Sequence, residues 1–233
     1  MDTRDREFIK IPPFQQKALF RFTSILFVVW VVVYFCPIPI FYKISFPLAT
    51  LFLSSLFLLP RSMCLAMLFS ALGDLAGAFG SLPAQIFFFA LAHVALMTFF
   101  LSRQSDRKKA HDKSWDLKTK MYRTLGILFA ITVMIFSLYE IIPATPKNVI
   151  RIGVAIYTVL IATMLFTAFL QKDSFFAIGA LLFVLSDIIL SLHLFVKPVS
   201  YGTFLIMIPY YTGQWLLFMR SAAVTGTTQD DSK

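Results

Sequence analysis

Two aspartates interrupt apolar stretches that otherwise suit a lipid bilayer. Asp74 lies in LFSALGDLAGAF, and Asp187 lies in LLFVLSDIILSL. A charged side chain near the centre of a membrane-spanning helix costs about 2.5–3.5 kcal/mol on insertion scales, so such residues usually serve a function. We therefore treat these two carboxyl groups as the side chains of this sequence most able to do chemistry.

A pair of carboxyl groups away from water is suited to acid catalysis. In poorly solvated surroundings a carboxyl group favours its neutral form, and it can then act as a general acid. A second carboxylate nearby can stay ionised and stabilise positive charge or orient water. Such a pair fits hydrolysis through an oxocarbenium ion, as for acetals and vinyl ethers.

No GxSxG, HExxH or phosphate-binding glycine loop occurs, so serine esterase and zinc protease mechanisms lack support.

The composition is typical of an integral membrane protein. Of the 233 residues, 58% are hydrophobic and 14% are charged, whereas soluble domains carry roughly 25% charged residues. The net charge of +9 would suggest nucleic acid in a soluble protein, but here the basic residues lie between hydrophobic runs. They indicate orientation in a membrane, and no nucleic-acid partner is predicted. Cys36 and Cys64 provide neither a disulfide framework nor metal-ligand spacing, so no metal site is predicted.

Eight transmembrane helices are predicted, because a helix needs about 20 apolar residues to cross the hydrocarbon core. Prolines separate the apolar runs, and the alternation of barrel strands is absent. The predicted fold class is therefore an all-α integral membrane bundle. Its spans lie near 19–36, 40–59, 62–80, 83–101, 122–142, 147–171, 174–196 and 199–219. The membrane domain 19–219 is flanked by tails 1–18 and 220–233.

The distribution of Lys and Arg predicts the orientation of these spans. An even number of spans puts both termini on one side, and this side then holds most of the 21 Lys and Arg residues, including those of the basic loop 102–121. The four on the other side are Lys43, Lys147, Arg151 and Lys197. Because positive charge is retained in the cytosol, both termini are predicted to be cytosolic. The basic loop is interpreted as a solvated topology determinant, with binding of anionic lipid head groups as the alternative.

Asp74 and Asp187 are predicted to lie at one depth. Spans three and seven run in the same direction, from Ser62 and from Ser174, and at ~1.5 Å per residue both aspartates lie about 18–20 Å along them. Small residues fall on roughly the same side of span three as Asp74 and would turn it towards neighbouring helices rather than lipid. These are Ala66, Ser70, Gly73 and Gly77.

Other polar side chains are predicted near that depth. They are His93 in span four, Tyr157 in span six, Tyr210 and Tyr211 in span eight, Gln214 one turn deeper, and Lys43 nearer the outer end of span two. Most of them have a structural alternative: His93, Tyr210 and Tyr211 as packing residues, and Gln214 as a hydrogen bond between helices or a cavity wall. Lys43 either extends to the interface or meets a substrate phosphate.

Several of these segments together resemble the YhhN-like family of membrane lysoplasmalogenases. They are FSALGD, GALLFVLSD and IPYYTGQWLL, with AH in span four and IYTVLIATM in span six. The similarity covers most of spans two to eight and leaves out the tails and the basic loop. It implies hydrolysis of the vinyl ether bond of lysoplasmalogens, giving a fatty aldehyde and glycerophosphocholine or glycerophosphoethanolamine. No cofactor is implied.

The resemblance also implies which residues form the site. The two intramembrane aspartates of the family match Asp74 and Asp187, and its other polar positions match Lys43, His93, Tyr157, Tyr210, Tyr211 and Gln214. The sequence departs from the family at KISFP in span two, where relatives place proline closer to the lysine. The partners expected are a lysophospholipid substrate and the lipid bilayer. The membrane would be the endoplasmic reticulum in a eukaryote and the inner membrane in a bacterium, and the oligomeric state stays open, a homo-oligomer included.

A proton- or cation-coupled transporter of lipids or solutes is the alternative function. Carboxylates near the midplane and helical repeats occur in transporters, and the segments around Asp74 and Asp187 lie four spans apart, as in a parallel repeat. Matching Gly/Pro-interrupted helices in both halves are absent, since only span eight has a mid-helix proline, Pro209. A membrane scaffold is a third hypothesis, and it predicts that both aspartates tolerate Asn.

Overall fold

The computed structural model describes residues 12–36, 46–109 and 117–230, and within these ranges the chain is helical, without strands. This confirms the all-α prediction. The helices are α1 (Pro13–Phe35), α2 (Phe46–Leu58), α3 (Arg61–Ala78), α4 (Leu82–Lys109), α5 (Leu117–Phe136), α6 (Ile142–Ala144), α7 (Val149–Phe169), α8 (Ser174–Ser191) and α9 (Gly202–Asp230). The π-helical turns Ser137–Ile141 and Leu192–Val196 follow α5 and α8.

Five helical segments of the described chain are long and apolar enough to cross a membrane. They are Pro13–Phe35, Leu82–Ser105, Leu117–Ala144, Val149–Phe169 and Ser174–Val196. These correspond to predicted spans one, four, five, six and seven, and they are consistent with a multi-pass integral membrane protein. Predicted spans two, three and eight fall on the shorter apolar helix α2 and on α3 and α9.

The first of two compact units contains α1, α2, α3, α4 up to Leu96, and the chain from Phe218 onwards. Helix α1 begins at Pro13, whose fixed φ suits the first helical position, and α2 packs against both α1 and α3. The buried hydroxyl groups of Thr23 and Ser54 share a hydrogen bond of 2.6 Å between α1 and α2. The rings of Trp30 and Phe46 stack with centroids 4.6 Å apart, so the end of α1 lies beside the start of α2 and these two helices run antiparallel.

The second unit extends from Met97 to Leu217. Helix α7 packs against α5 and α8, and the side chains of Asn148 and Asp173 cap the N-termini of α7 and α8. At the start of α9, Val199 donates its backbone N–H to Nδ1 of His193 over 3.0 Å. This contact closes the connection between α8 and α9, the two helices that carry most of the predicted site residues of this unit.

Candidate functional site

Asp187 has a defined hydrogen-bonding partner inside the second unit. Its side chain on α8 is 8% exposed, and the hydroxyl group of Tyr157 on α7 donates to its Oδ2 over 2.5 Å. The sequence placed these residues at similar depth, and the packing of α7 on α8 brings them into contact. One oxygen of the carboxyl group is thereby held in place by a phenol.

Two glycines allow α8 and α9 to approach each other closely. A Cβ atom on Gly213 would lie 2.7 Å from the carbonyl oxygen of Gly179 and 3.0 Å from the backbone nitrogen of Phe183. The ring of Tyr210 meets the ring of Phe183 edge-on, with centroids 5.5 Å apart. These contacts fix the antiparallel register of α8 and α9.

This register sets the level of the α9 side chains relative to Asp187. Phe183 lies one turn before Asp187 on the same face of α8, so Tyr210 lies about 6 Å from the level of the carboxyl group. Tyr211 packs against Tyr210 with ring centroids 5.3 Å apart, and both tyrosines are buried. Gln214 is fully buried near the level of Gly179, about 12 Å from Asp187 along the helix axis. Along the helix axis, Tyr210 is therefore nearer to the level of the carboxyl group than Gln214 is.

Replacing Gly213 by Ala is expected to weaken this helix pair. The added Cβ atom would meet backbone atoms that no side-chain rotation can move, and such overpacking typically costs about 1–3 kcal/mol. We expect a lower thermal unfolding temperature in detergent. Thr212→Ala, at the exposed neighbouring position, serves as the control and should unfold like the wild type. A Gly213→Ala protein as stable as the wild type would contradict the close approach.

Asp74 belongs to the first unit, where α3 packs against α4. A Cβ atom on Gly73 would lie 3.0 Å from the ring of Phe89, and one on Gly77 would lie 2.7 Å from the amide nitrogen of Gln85. Half-buried Asp74 lies between these two contacts along α3. Gly73 and Gly77 are thus points of close contact with α4, as predicted for small residues on this side of the helix.

His93 lies on the α4 face that packs against α3, because Phe89 precedes it by one turn on that face. Its side chain is fully buried. The antiparallel register of α3 and α4 places His93 at the level of Phe69, about 7.5 Å from Asp74 along the helix axis. Within this unit, the histidine thus lies more than one helix turn from the level of the aspartate.

Two residues near Asp74 were not singled out from the sequence. Tyr34, half-buried near the end of α1, lies close enough to Asp74 for the two side chains to interact electrostatically. Gln85 contacts α3 at Gly77. Tyrosine is common at membrane interfaces, so the residue types near these span ends gave no functional signal.

The predicted site residues are divided between the two units. Asp74 and His93 lie in the first, whereas Asp187, Tyr157, Tyr210, Tyr211 and Gln214 lie in the second. Lys43 lies outside the described residues. Within the described ranges, no group of three or more His, Cys, Asp or Glu side chains could hold a metal ion.

The described chain is thus a helical protein with several membrane-length helices and, in each unit, an aspartate on an apolar helix. The model of the YhhN family matches residues 16–221, and the chain belongs to this family. The resemblance of the sequence motifs is thereby confirmed, and the matched segment contains all the predicted site residues. Neither the curated proteins nor the solved structures that were compared gave a match.

Proposed function

We propose that this protein is a membrane lysoplasmalogenase. It hydrolyses the vinyl ether bond of alkenyl-glycerophosphocholine and alkenyl-glycerophosphoethanolamine, and it releases a fatty aldehyde and the corresponding glycerophospho-alcohol. Membership of the YhhN family supports this activity. The observation that carries the proposal is the buried carboxyl group of Asp187, which accepts a hydrogen bond from the phenol of Tyr157 on apolar helices.

The proposed topology has eight spans with both termini in the cytosol. The host membrane is the endoplasmic reticulum in a eukaryotic cell or the inner membrane in a bacterium. The spacing along the sequence predicts one depth for Asp74 and Asp187, and in the proposed reaction both act on the same substrate. In the proposal, the alkenyl chain lies between apolar helices and the polar head points to the outer interface, the end of span two at which the sequence predicts Lys43.

The two aspartates take different roles in the proposed reaction. The phenol of Tyr157 holds one oxygen of Asp187 in place, and we assign Asp187 to stabilising positive charge and positioning water. Asp74 is then the general acid. It transfers its proton to the vinyl β-carbon, the carbon–carbon double bond is lost, and the neighbouring carbon becomes part of an oxocarbenium ion, which the negative charge of Asp187 stabilises.

Water completes the reaction at the oxocarbenium carbon. A water molecule positioned by Asp187 adds there and gives up a proton to Asp74, which restores the acid and leaves a hemiacetal. The hemiacetal collapses when its carbon–oxygen bond to glycerol breaks, the glycerol oxygen gains a proton, and the hydroxyl group becomes the aldehyde carbonyl. One water is consumed, and no redox step occurs. His93, Tyr210, Tyr211 and Gln214 support this site as substrate-binding or packing residues.

Aldehyde release from lysoplasmalogen tests the proposal. The purified protein in detergent should convert the lipid to free aldehyde and glycerophospho-alcohol with turnover and without an added cofactor. The matched control substrate has a saturated alkyl ether in place of the vinyl ether, and it should yield no aldehyde, since its carbon cannot accept the proton. Lipid movement across reconstituted vesicles without aldehyde release would instead support a transporter and contradict the proposal.

A further inference from the structure

The amide group of Gln85 occupies a position that only a glycine on α3 permits. A Cβ atom on Gly77 would lie 2.7 Å from Nε2, 2.8 Å from Cδ and 3.1 Å from Oε1 of Gln85. The whole amide plane therefore rests against the backbone of α3. Any larger residue at this position would push the amide away.

This amide lies next to Asp74 on the same side of α3. Gly77 and Asp74 are separated by three residues, so they share a helix face and are offset by about 4.5 Å along the axis. Tyr34, near the end of α1, interacts electrostatically with Asp74. Asp74 thus has Tyr34 of α1 within electrostatic range, and the Gln85 amide of α4 lies about one helix turn from it along α3.

The Gln85 side chain has hydrogen-bonding capacity to spare. An amide offers two N–H donors and an acceptor oxygen, and it makes no hydrogen bond to any other residue within the described ranges. The side chain is half-buried, so it is reachable rather than sealed in the core. A ligand group placed there can both donate to it and accept from it, as an alcohol does.

We propose that Gln85, seated on Gly77, is a binding subsite for the free hydroxyl group of the glycerol in the lysolipid. This inference rests on the proposed function. In the substrate, two carbon atoms separate the vinyl ether oxygen from the hydroxyl oxygen. A hydroxyl group bound at Gln85, about one helix turn from Asp74, therefore leaves the reacting vinyl carbon next to Asp74.

The subsite accounts for selection of a lysolipid over its acylated form. A site built to hydrogen-bond a hydroxyl group disfavours an analogue that lacks it, because buried polar groups are then left unpaired. An acyl chain on that oxygen removes the donor and needs space that the close contact of α3 and α4 at Gly77 does not offer. Gln85 therefore determines specificity and takes no part in proton transfer.

Gln85→Met, which keeps the length of the side chain and removes its polar groups, tests the subsite. Steady-state kinetics should show KM for lysoplasmalogen raised about tenfold with kcat within about twofold, because the contact is equal in the ground state and the transition state. Gly77→Ala should shift KM in the same direction. Gln104→Met, elsewhere on α4, is the matched control and should leave KM unchanged.

A substrate analogue without the hydroxyl group tests the same idea in the unaltered protein. The wild type should show a higher KM for this 2-deoxy analogue than for lysoplasmalogen, and Gln85→Met should treat the two alike, as a double-mutant cycle requires. Equal KM values of the wild type for both substrates would overturn the subsite. An absence of aldehyde release by the wild type would instead contradict the proposed function, so the two failures are distinguishable.

Discussion

Asp74→Asn is expected to lower kcat for aldehyde release by about 10²–10⁴-fold, the contribution typical of a general acid. The amide has nearly the same shape as the carboxyl group, but it cannot deliver a proton to the vinyl carbon. Substrate affinity should change little, because the proton moves only in the transition state. The measurement is aldehyde release by purified variants under saturating lysoplasmalogen.

The matched control for this change is Asp173→Asn. Asp173 caps the N-terminus of α8 through its side chain, and Asn is an equally good N-cap, so this variant should keep wild-type stability and kcat. Comparison of the two variants separates loss of the acid from any general effect of removing a carboxylate. Asp74→Asn with kcat within about twofold of the wild type would rule out Asp74 as the proton donor.

Asp187→Asn is expected to lower kcat by roughly 10²–10³-fold, as when a group that stabilises transition-state charge is removed. The side-chain oxygen of Asn can still accept the hydrogen bond from Tyr157, so the variant should fold and insert normally. What this variant lacks is the negative charge that, in the proposed reaction, stabilises the oxocarbenium ion. Turnover of purified protein, together with its thermal unfolding temperature, measures both effects.

Tyr157→Phe tests whether the phenol acts through Asp187. By itself this change should lower kcat less, about tenfold, because the carboxylate remains but loses its hydrogen bond. Added to Asp187→Asn it should cause almost no further loss, since residues that act as a unit are not additive. A full additional tenfold loss in the double variant would show that Tyr157 acts independently of Asp187.

The positions of most helices follow from the apolar runs and the prolines between them. The predicted span 147–171 becomes α7, and 174–196 becomes α8 with its π-helical turn. Helix ends beyond the apolar runs were less predictable. Helix α4 continues to Lys109 and α9 to Asp230, because hydropathy marks the hydrocarbon core, whereas residues such as Lys, Arg and Gln also favour helix in water.

The contacts of the site depend on information that hydropathy and residue spacing do not carry. Depth along a span could be counted, and it placed Tyr157 and Asp187 at similar levels. Their hydrogen bond depends on how α7 and α8 are rotated about their axes, which is decided by packing. The contact of the Gln85 amide with Gly77 could not be predicted from the sequence for the same reason, because it depends on the register of α3 against α4.

Hydrolysis of lysoplasmalogen in D₂O tests most directly whether carboxyl groups protonate the vinyl ether. The aldehyde, reduced to its alcohol at once to prevent later exchange, should carry one deuterium at the carbon next to the former carbonyl, as read by mass spectrometry. The label should have a single stereochemistry, because one acid delivers it to one face. An aldehyde without deuterium at that carbon, or shortened by one carbon, would contradict acid catalysis by Asp74 and Asp187.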